Sequence, residues 1–257
     1  MTVYFIGAGP GAEDLLTLRA HRLIQQCQVC LYAGSIVPES VLAATPDNAR
    51  LINTARMPLD AITEEIQRAH AEGLDVARLQ SGDPSVYSAL AEQARRLTVL
   101  GIDYEIVPGV PAFAAAAAAL GHELTVPTVG QTVVLTRVSG RASTMPEREN
   151  LPDLARSHAT LCIHLAAHDI ERVVTELSPE YGESCPVAVV AFASRPNEHI
   201  VRGTLADIAQ KVHEAGISRT AVIIVGSVLG AEGFPDSYLY SDDRPRDAEG
   251  RTIPCVH

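Results

Sequence analysis

Three glycine-bearing loops hold most of the chemical promise of this sequence: Gly7-Ala8-Gly9-Pro10-Gly11, Ser81-Gly82-Asp83-Pro84-Ser85 and Val107-Pro108-Gly109-Val110-Pro111-Ala112. Residues with little or no side chain let backbone amides approach a ligand closely, and each loop follows a short apolar run that reads as a strand. If those strands are parallel, the loops meet at the carboxyl edge of one sheet, where open α/β folds bind ligands. One such loop alone would only permit a tight strand-to-helix turn. Three of them make a floor. Asp83 also has a plainer reading, because an Asp N-cap followed by Pro at the first helical position is good helix-start chemistry.

Other chemistries find less material. A dinucleotide site would accept Ala12 as its third small position, but it needs an acid at the end of the second strand, and that strand ends in Tyr32-Ala33-Gly34. Glu13 and Asp14 suit a helix N-terminus and would repel a pyrophosphate seated there. Cys27 and Cys30 form a C-x-x-C with no second pair, and Cys162, Cys185 and Cys255 stand apart, so the five cysteines read as reduced, buried thiols rather than metal ligands. His164 and His168 have helical spacing but fall where a strand is expected, with no accompanying Glu, so no metal site is assigned. No Ser-His-Asp or Cys-His constellation emerges.

The elements that must position the loops alternate β-branched runs with amphipathic stretches. Strands are expected at Val3–Ile6, Val29–Tyr32, Leu51–Ile52, Val76–Leu79 and Tyr104–Val107, with helices over Asp14–Gln26, Ala61–Ala71 and Ser85–Leu100. The alanine-rich Phe113–Leu120 reads as a helix stopped by Gly121. A second alternation follows: strands Thr132–Thr136, Thr160–Leu165, Val187–Val190, Ile200–Arg202 and Ala221–Val225, with helices over Asp169–Leu177 and Leu205–Ala215. The polar stretch from Arg137 to Leu151 is a long loop, and such loops tend to be functional. The expected fold is α/β, two domains with mostly parallel sheets and a ligand cleft between them: residues 1–124, residues 125–230, and a C-terminal tail at 231–257.

Composition narrows the partners. The 257 residues are 47% hydrophobic and 20% charged, ordinary globular usage that excludes wholesale disorder. A formal net charge of −11 disfavours nucleic acid and anionic membranes, and an aromatic content of 4% leaves little for stacking single-stranded nucleic acid. No apolar run approaches the ~20 residues of a membrane span, and the N-terminus lacks a basic leader, so a cytoplasmic location is expected.

The ordered set of blocks is similar to the tetrapyrrole methylase family: the first glycine loop with Asp14-Leu15-Leu16-Thr17-Leu18, then Leu31-Tyr32, Ser81-Gly82-Asp83-Pro84 and Val107-Pro108-Gly109-Val110. In the second half Pro186–Val190, Gly203-Thr204-Leu205 and Ala221–Gly226 extend the resemblance, which covers about residues 1–226. Glu92-Gln93, Gln131–Arg137, Gly140-Arg141 and Met145-Pro146-Glu147 resemble the subfamily that methylates precorrin-4 at C11 to precorrin-5 in cobalamin biosynthesis. The uroporphyrinogen-III relatives usually carry Asp where Ala33 stands and Lys-Arg near Asn53-Thr54, and this chain has neither.

The resemblance implies S-adenosyl-L-methionine, released as S-adenosyl-L-homocysteine, bound between two domains of a homodimer. By motif, Pro10, Gly82, Asp83, Val86, Pro111 and Ala112 would contact the cofactor from the first domain, and Leu165, Ala193 and Ala221 from the second. Gly9 would line the substrate trough, Asp83 would orient the cofactor and is the candidate catalytic residue, and Tyr87 lies one helical turn beyond it. Methyl transfer needs no nucleophilic side chain, because the cofactor carries the activation and the protein holds two reactants in line. A precorrin is rich in carboxylates, so an acidic protein must gather a local set of arginines for it. Arg56, Arg137, Arg141 and Arg148 are the available group. Readings that stay open are another tetrapyrrole methylase, including a cobalt-precorrin or uroporphyrinogen-III enzyme, and, outside that class, a non-catalytic nucleotide-binding regulator. A dehydrogenase is opposed by the missing ribose acid, and an RNA methyltransferase by the charge.

Overall fold

Two five-stranded sheets carry the chain in the computed structural model, which describes residues 1–139, 144–238, 244, 246 and 249–251. The first sheet is built from Val3–Gly7 (β1), Val29–Tyr32 (β2), Arg50–Asn53 (β3), Val76–Gln80 (β4) and Tyr104–Val107 (β5). Its strands run in the order β3-β2-β4-β1-β5, and every pair is parallel. Alternation along each strand decides which residues face which helices. Ile6, Cys30, Ala77, Leu79 and Val107 pack with Leu18–Gln26 (α1) and Glu39–Leu42 (α2). Val3, Phe5, Val29, Leu31 and Val76 pack with Leu59–Ala71 (α3) and Leu90–Leu100 (α4). Burial on both faces explains the near-continuous apolar runs of these strands.

Ala112–Leu120 (α5) then leaves the first sheet and lies against the second. Its residues Ala115 and Ala116, small enough for a close approach, pack with Cys162, Val190 and Val222. The expected division at residue 124 assigns α5 to the first domain, so this helix is the bridge between the halves. Arg202 Nη2 donates to the Leu120 carbonyl at 3.0 Å, and Thr160 Oγ1 donates to the Leu124 carbonyl at 3.1 Å.

The second sheet comprises Val133–Arg137 (β6), Thr160–His164 (β7), Pro186–Ala191 (β8), His199–Thr204 (β9) and Ala221–Val225 (β10), ordered β6-β7-β10-β8-β9. Here the expectation of mostly parallel pairing needs correction: only β6 with β7 is parallel, while β7–β10, β10–β8 and β8–β9 are antiparallel. One reversal accounts for all three. Only seven residues, 192–198, join β8 to β9, too few for a crossover helix, so β9 turns back beside β8. The helical connections on either side still join like-directed strands: Leu151–Ala155 (α6) links β6 to β7, Ile170–Tyr181 (α7) links β7 to β8, and Ile208–Glu214 (α8) links β9 to β10. The opposite face of the sheet buries Leu161, Ile163, Val187, Val189, Ile223 and Val225 against α6, α7 and α8.

Three expected helices start late, α8 at Ile208 rather than Leu205 and two others by four or five residues. Glu13–Leu15 forms a separate 3-10 turn, and α1 begins at Leu18, where Thr17 Oγ1 accepts from Ala20 N at 3.1 Å. Residues 85–89 are not helical: Tyr87 and Ala89 sit in the left-handed region, at φ 50° and 54°, which a helix cannot include. The short α2 and α6 carry too few residues to show a helical period. No helix among the described residues is long and apolar enough to cross a membrane.

Candidate functional site

The order of the first sheet places β1 between β4 and β5, so the three glycine loops leave neighbouring strand ends. They are stitched together through backbone. Gly9 and Gly82 form an antiparallel bridge, with N–H···O distances of 3.2 and 2.8 Å, and Ala8 N donates to the Gln80 carbonyl at 2.7 Å. The contact of Gly7 with Gly109 is closer still. A Cβ on Gly109 would fall 2.4 Å from the Gly82 carbonyl oxygen and 2.8 Å from Gly7 Cα, so only glycine fits there.

Asp83 fastens two of these loops. Its Oδ2 accepts from Gly109 N at 2.7 Å, while Oδ1 accepts from Ser85 N at 2.8 Å and from the Ser85 hydroxyl. Burial disfavours its charge, but the hydrogen bonds from Ser85 and from the Gly109 and Ser85 backbone outweigh that and hold its carboxyl below the usual Asp value. Both carboxylate oxygens are thus committed within the loops. The Asp-Pro pair does not cap a helix as its sequence suggests; it ties the floor of the site. That occupancy argues against Asp83 as a proton acceptor and for a positioning role.

The second sheet contributes the facing edge. His164 ends β7 and pairs in register with Arg137 at the end of β6 and with Val222 in β10, while Ala221 pairs with Ala191 at the end of β8. Leu165, Ala193 and Ala221, expected from motif alone, therefore lie at one edge of this sheet, with Arg137. Leu165 is 64% exposed and adopts φ 55°, whereas Ala193 is buried against the bridge. The two edges meet where the Tyr87 ring lies 5.5 Å from the His164 ring and Phe113 lies 6.5 Å from it. Tyr87 is 44% exposed, so it is not a core tyrosine but reaches the surface where the two edges meet. Burial raises its phenol, with the Arg137 charge opposing and the Glu149 charge adding to the shift.

A second clasp closes the other side. Arg195, in the loop that reverses β8 into β9, donates from Nε to the Pro10 carbonyl at 3.3 Å and from Nη2 to the Ile36 carbonyl at 2.6 Å. Ser194 Oγ accepts from Ala12 N at 3.0 Å. Pro10 is consequently buried under this loop. Arg195 carries no signal in the sequence, and His164 stands out there only as half of a His-x-x-x-His pair set aside as a metal site. His164 could have been found by the rule already applied to the glycine loops, since it ends a strand; Arg195 lies in a reversal with no periodic signal.

The arginines are less gathered than expected. Arg137 donates to the carbonyls of Val138 and Thr144 at 3.1 and 3.2 Å, and so braces its own loop at the cleft. Arg56 is exposed beyond β3, on the loop edge of the first sheet, and Arg148 is exposed on a 3-10 turn. Arg141 lies outside the described residues, as do Cys255 and most of the tail. The four described cysteines are buried, their thiols pushed up to about 12 or, for Cys185, about 11, chiefly by desolvation, which marks them as unreactive. Among the described residues no three metal-binding side chains converge.

The sequence pattern of the tetrapyrrole (corrin/porphyrin) methylases matches residues 2–209. A precorrin-4 C(11)-methyltransferase of Rhodococcus erythropolis is 61% identical over 246 residues, covering 96% of this chain and 99% of its own. A cobalt-precorrin-4 C(11)-methyltransferase of Methanocaldococcus jannaschii is 47% identical over 239 residues, covering 93% and 92%. Among solved structures, a cobalt precorrin-4 methyltransferase of cobalamin biosynthesis matches with a TM-score of 0.86 at 40% identity, covering 89% of this chain and 95% of that one. A uroporphyrin-III C-methyltransferase from Thermus thermophilus, complexed with S-adenosyl homocysteine, matches with a TM-score of 0.76 at 28% identity, covering 90% and 99%.

Proposed function

The chain belongs to the tetrapyrrole methylase family, and from that premise we propose that it methylates precorrin-4 at C11, giving precorrin-5 in cobalamin biosynthesis, with S-adenosyl-L-methionine as donor. The observation that carries this reading is the 61% identity to a precorrin-4 C(11)-methyltransferase along almost the whole of both chains. The lower identity of 47% to the cobalt-precorrin-4 relative favours a metal-free substrate over a cobalt-bearing one.

The residues present suit such a pair of ligands. The backbone floor of Gly9, Gly82 and Pro111–Ala112 offers close approach without side chains, and the exposed faces of Leu165 and Tyr87 offer apolar surface for a flat ligand to cover. S-adenosyl-L-methionine, when bound, supplies an electrophilic methyl group on a sulfonium. We assign its contacts to Gly82, Asp83, Val86, Pro111, Ala112 and Pro10 on one side and Leu165, Ala193 and Ala221 on the other. Asp83 holds the floor in shape, Arg195 and Ser194 hold the second edge against the first, and Arg56, Arg137 and Arg141 meet substrate carboxylates. What the chain contributes is alignment of two reactants in a shielded gap, which can lower a barrier by ~7–11 kcal/mol in well-oriented cases. We take the working form to be a cytoplasmic homodimer.

Incubation with methyl-labelled S-adenosyl-L-methionine and precorrin-4, made by coupled upstream enzymes, tests the assignment. The expected product is a tetrapyrrole heavier by one methyl group, with S-adenosyl-L-homocysteine released. Bound cofactor without label in any tetrapyrrole would replace the assignment with a nucleotide-binding regulator, and label appearing only in the cobalt complex would assign the cobalt-bearing substrate. Light scattering of the purified protein checks the dimer.

A further inference from the structure

His164 is a half-buried polar residue that neither the fold nor the proposed alignment yet uses. It lies two positions after Cys162 on β7, so both project from the same face of the strand. Cys162 is covered by α5, and His164 continues that face past the bridge to the place where Tyr87 and Phe113 of the first half come over it. Its Nε2 is shielded from water and makes no hydrogen bond.

Leaving a buried polar atom unpaired costs ~1–3 kcal/mol, and a residue kept only for packing would avoid it. Tyr181, elsewhere in the same half, shows the ordinary solution: its hydroxyl is paired with the Ala159 carbonyl at 2.5 Å. The cover over His164 is also unusual. Tyr87 is held at φ 50°, a conformation disfavoured for a bulky residue, on a loop flanked by a second left-handed residue, Ala89. Its ring is nevertheless partly exposed to the gap. Strain beside an unpaired polar nitrogen is the arrangement expected of a site completed by a ligand.

Resting on the tetrapyrrole activity proposed above, we infer that His164 orients the substrate: Tyr87 swings aside, the flat macrocycle takes its place as cover, and a ring N–H donates to His164 Nε2. The imidazole suits this acceptor role because desolvation pushes it down to about 4, leaving it neutral near pH 7 with one donor and one acceptor nitrogen. A pyrrole N–H matches that acceptor, whereas the substrate carboxylates are acceptors themselves and need the arginines.

Three proteins test this: the unmodified chain, His164→Phe, which keeps an aromatic ring against Tyr87 and Phe113, and His164→Asn, which restores an acceptor. Binding of precorrin-4, read from its visible absorption, and of S-adenosyl-L-homocysteine, read by calorimetry, are measured alongside steady-state methylation and thermal melting. The phenylalanine variant should bind precorrin-4 about tenfold more weakly and show KM raised by the same factor. Its kcat should change less, its S-adenosyl-L-homocysteine affinity should stay within twofold, and it should melt no lower than the unmodified chain. The asparagine variant should recover part of the lost affinity. Unchanged precorrin-4 affinity in His164→Phe overturns the inference, as does equal loss of both ligands or a lower melting temperature, each of which marks His164 as structural. If the unmodified chain methylates no tetrapyrrole, it is the proposed function that fails first, whereas an active parent with an indifferent variant removes only the role of His164.

Discussion

The two edges that face each other across the cleft are built from different materials. The first is backbone: Gly7, Gly9, Gly82 and Gly109 lie against one another, and the one acidic side chain among them, Asp83, spends both oxygens on the loops themselves. The second is side chain: Leu165 stands exposed, His164 carries an unpaired nitrogen, and Arg137 braces a loop that continues beyond the described residues. A surface of interlocked amides has one shape and tolerates no added atom. A surface of side chains can be altered one residue at a time. The difference lies in how each edge responds to substitution: the first by losing its shape, the second by losing single contacts.

Substitutions on the two edges should therefore fail differently. The largest effect is expected from Gly109→Ala, whose new methyl would collide with the Gly82 carbonyl and with Gly7. Overpacking of this kind costs ~1–3 kcal/mol, and because all the neighbours are backbone the upper end applies. Chemical denaturation should show that loss together with at least a tenfold drop in S-adenosyl-L-homocysteine affinity. A variant as stable as its parent would mean that the edge is more compliant than described.

Next comes Asp83→Asn, which sets an amide donor against the Gly109 or Ser85 donors and should cost about 2 kcal/mol near neutral pH. The carboxyl titrates below the usual Asp value of 3.8 in the folded chain, so its contribution is complete above that pH and is lost as the pH falls further. The gap between parent and variant should narrow below about pH 4 and stay constant above pH 5. A gap that widened on acidification would contradict the assigned hydrogen bonds.

Arg195→Ala tests whether the edges are held in register from the far side. Loss of the two hydrogen bonds to Pro10 and Ile36 should lower stability by about 1–2 kcal/mol and weaken the binding of both ligands together, by a few-fold each. Selective loss of one ligand would show that the clasp belongs to a single subsite. The smallest effect on stability belongs to Leu165→Ala, an exposed residue whose truncation should change unfolding by less than about 0.5 kcal/mol while still reducing ligand affinity. If Leu165→Ala destabilises the fold as much as Gly109→Ala, the contrast between the edges is wrong.

Much of the fold could be read from the sequence because local pattern and final environment agree. Val29–Tyr32, Tyr104–Val107 and Ala221–Val225 are observed with the expected bounds, since β-branched or aromatic runs between turn residues leave little choice. Ser85–Ala89 went astray for a nonlocal reason. Asp83 looks like a cap when only its own segment is considered, but its second oxygen is taken by Gly109, 26 residues away, and the chain after it bends instead of coiling. The antiparallel character of the second sheet was legible in principle, because Val187–Val190 and Ile200–Arg202 have no helix between them.

By itself the sequence determined that three small-residue loops would end three strands, that the chain would divide into two α/β halves, and that the family blocks would stand in order. These are consequences of local propensity, periodicity and spacing, which act over a few residues and survive in any context. The tertiary structure alone decided that Asp83 is a fastener, that Arg195 reaches back to Pro10, and that His164 lies under Tyr87 with an unpaired nitrogen. Those facts depend on groups brought together from up to 185 positions apart. Whether a polar atom is paired, buried or free is a property of that assembled neighbourhood and of no single segment.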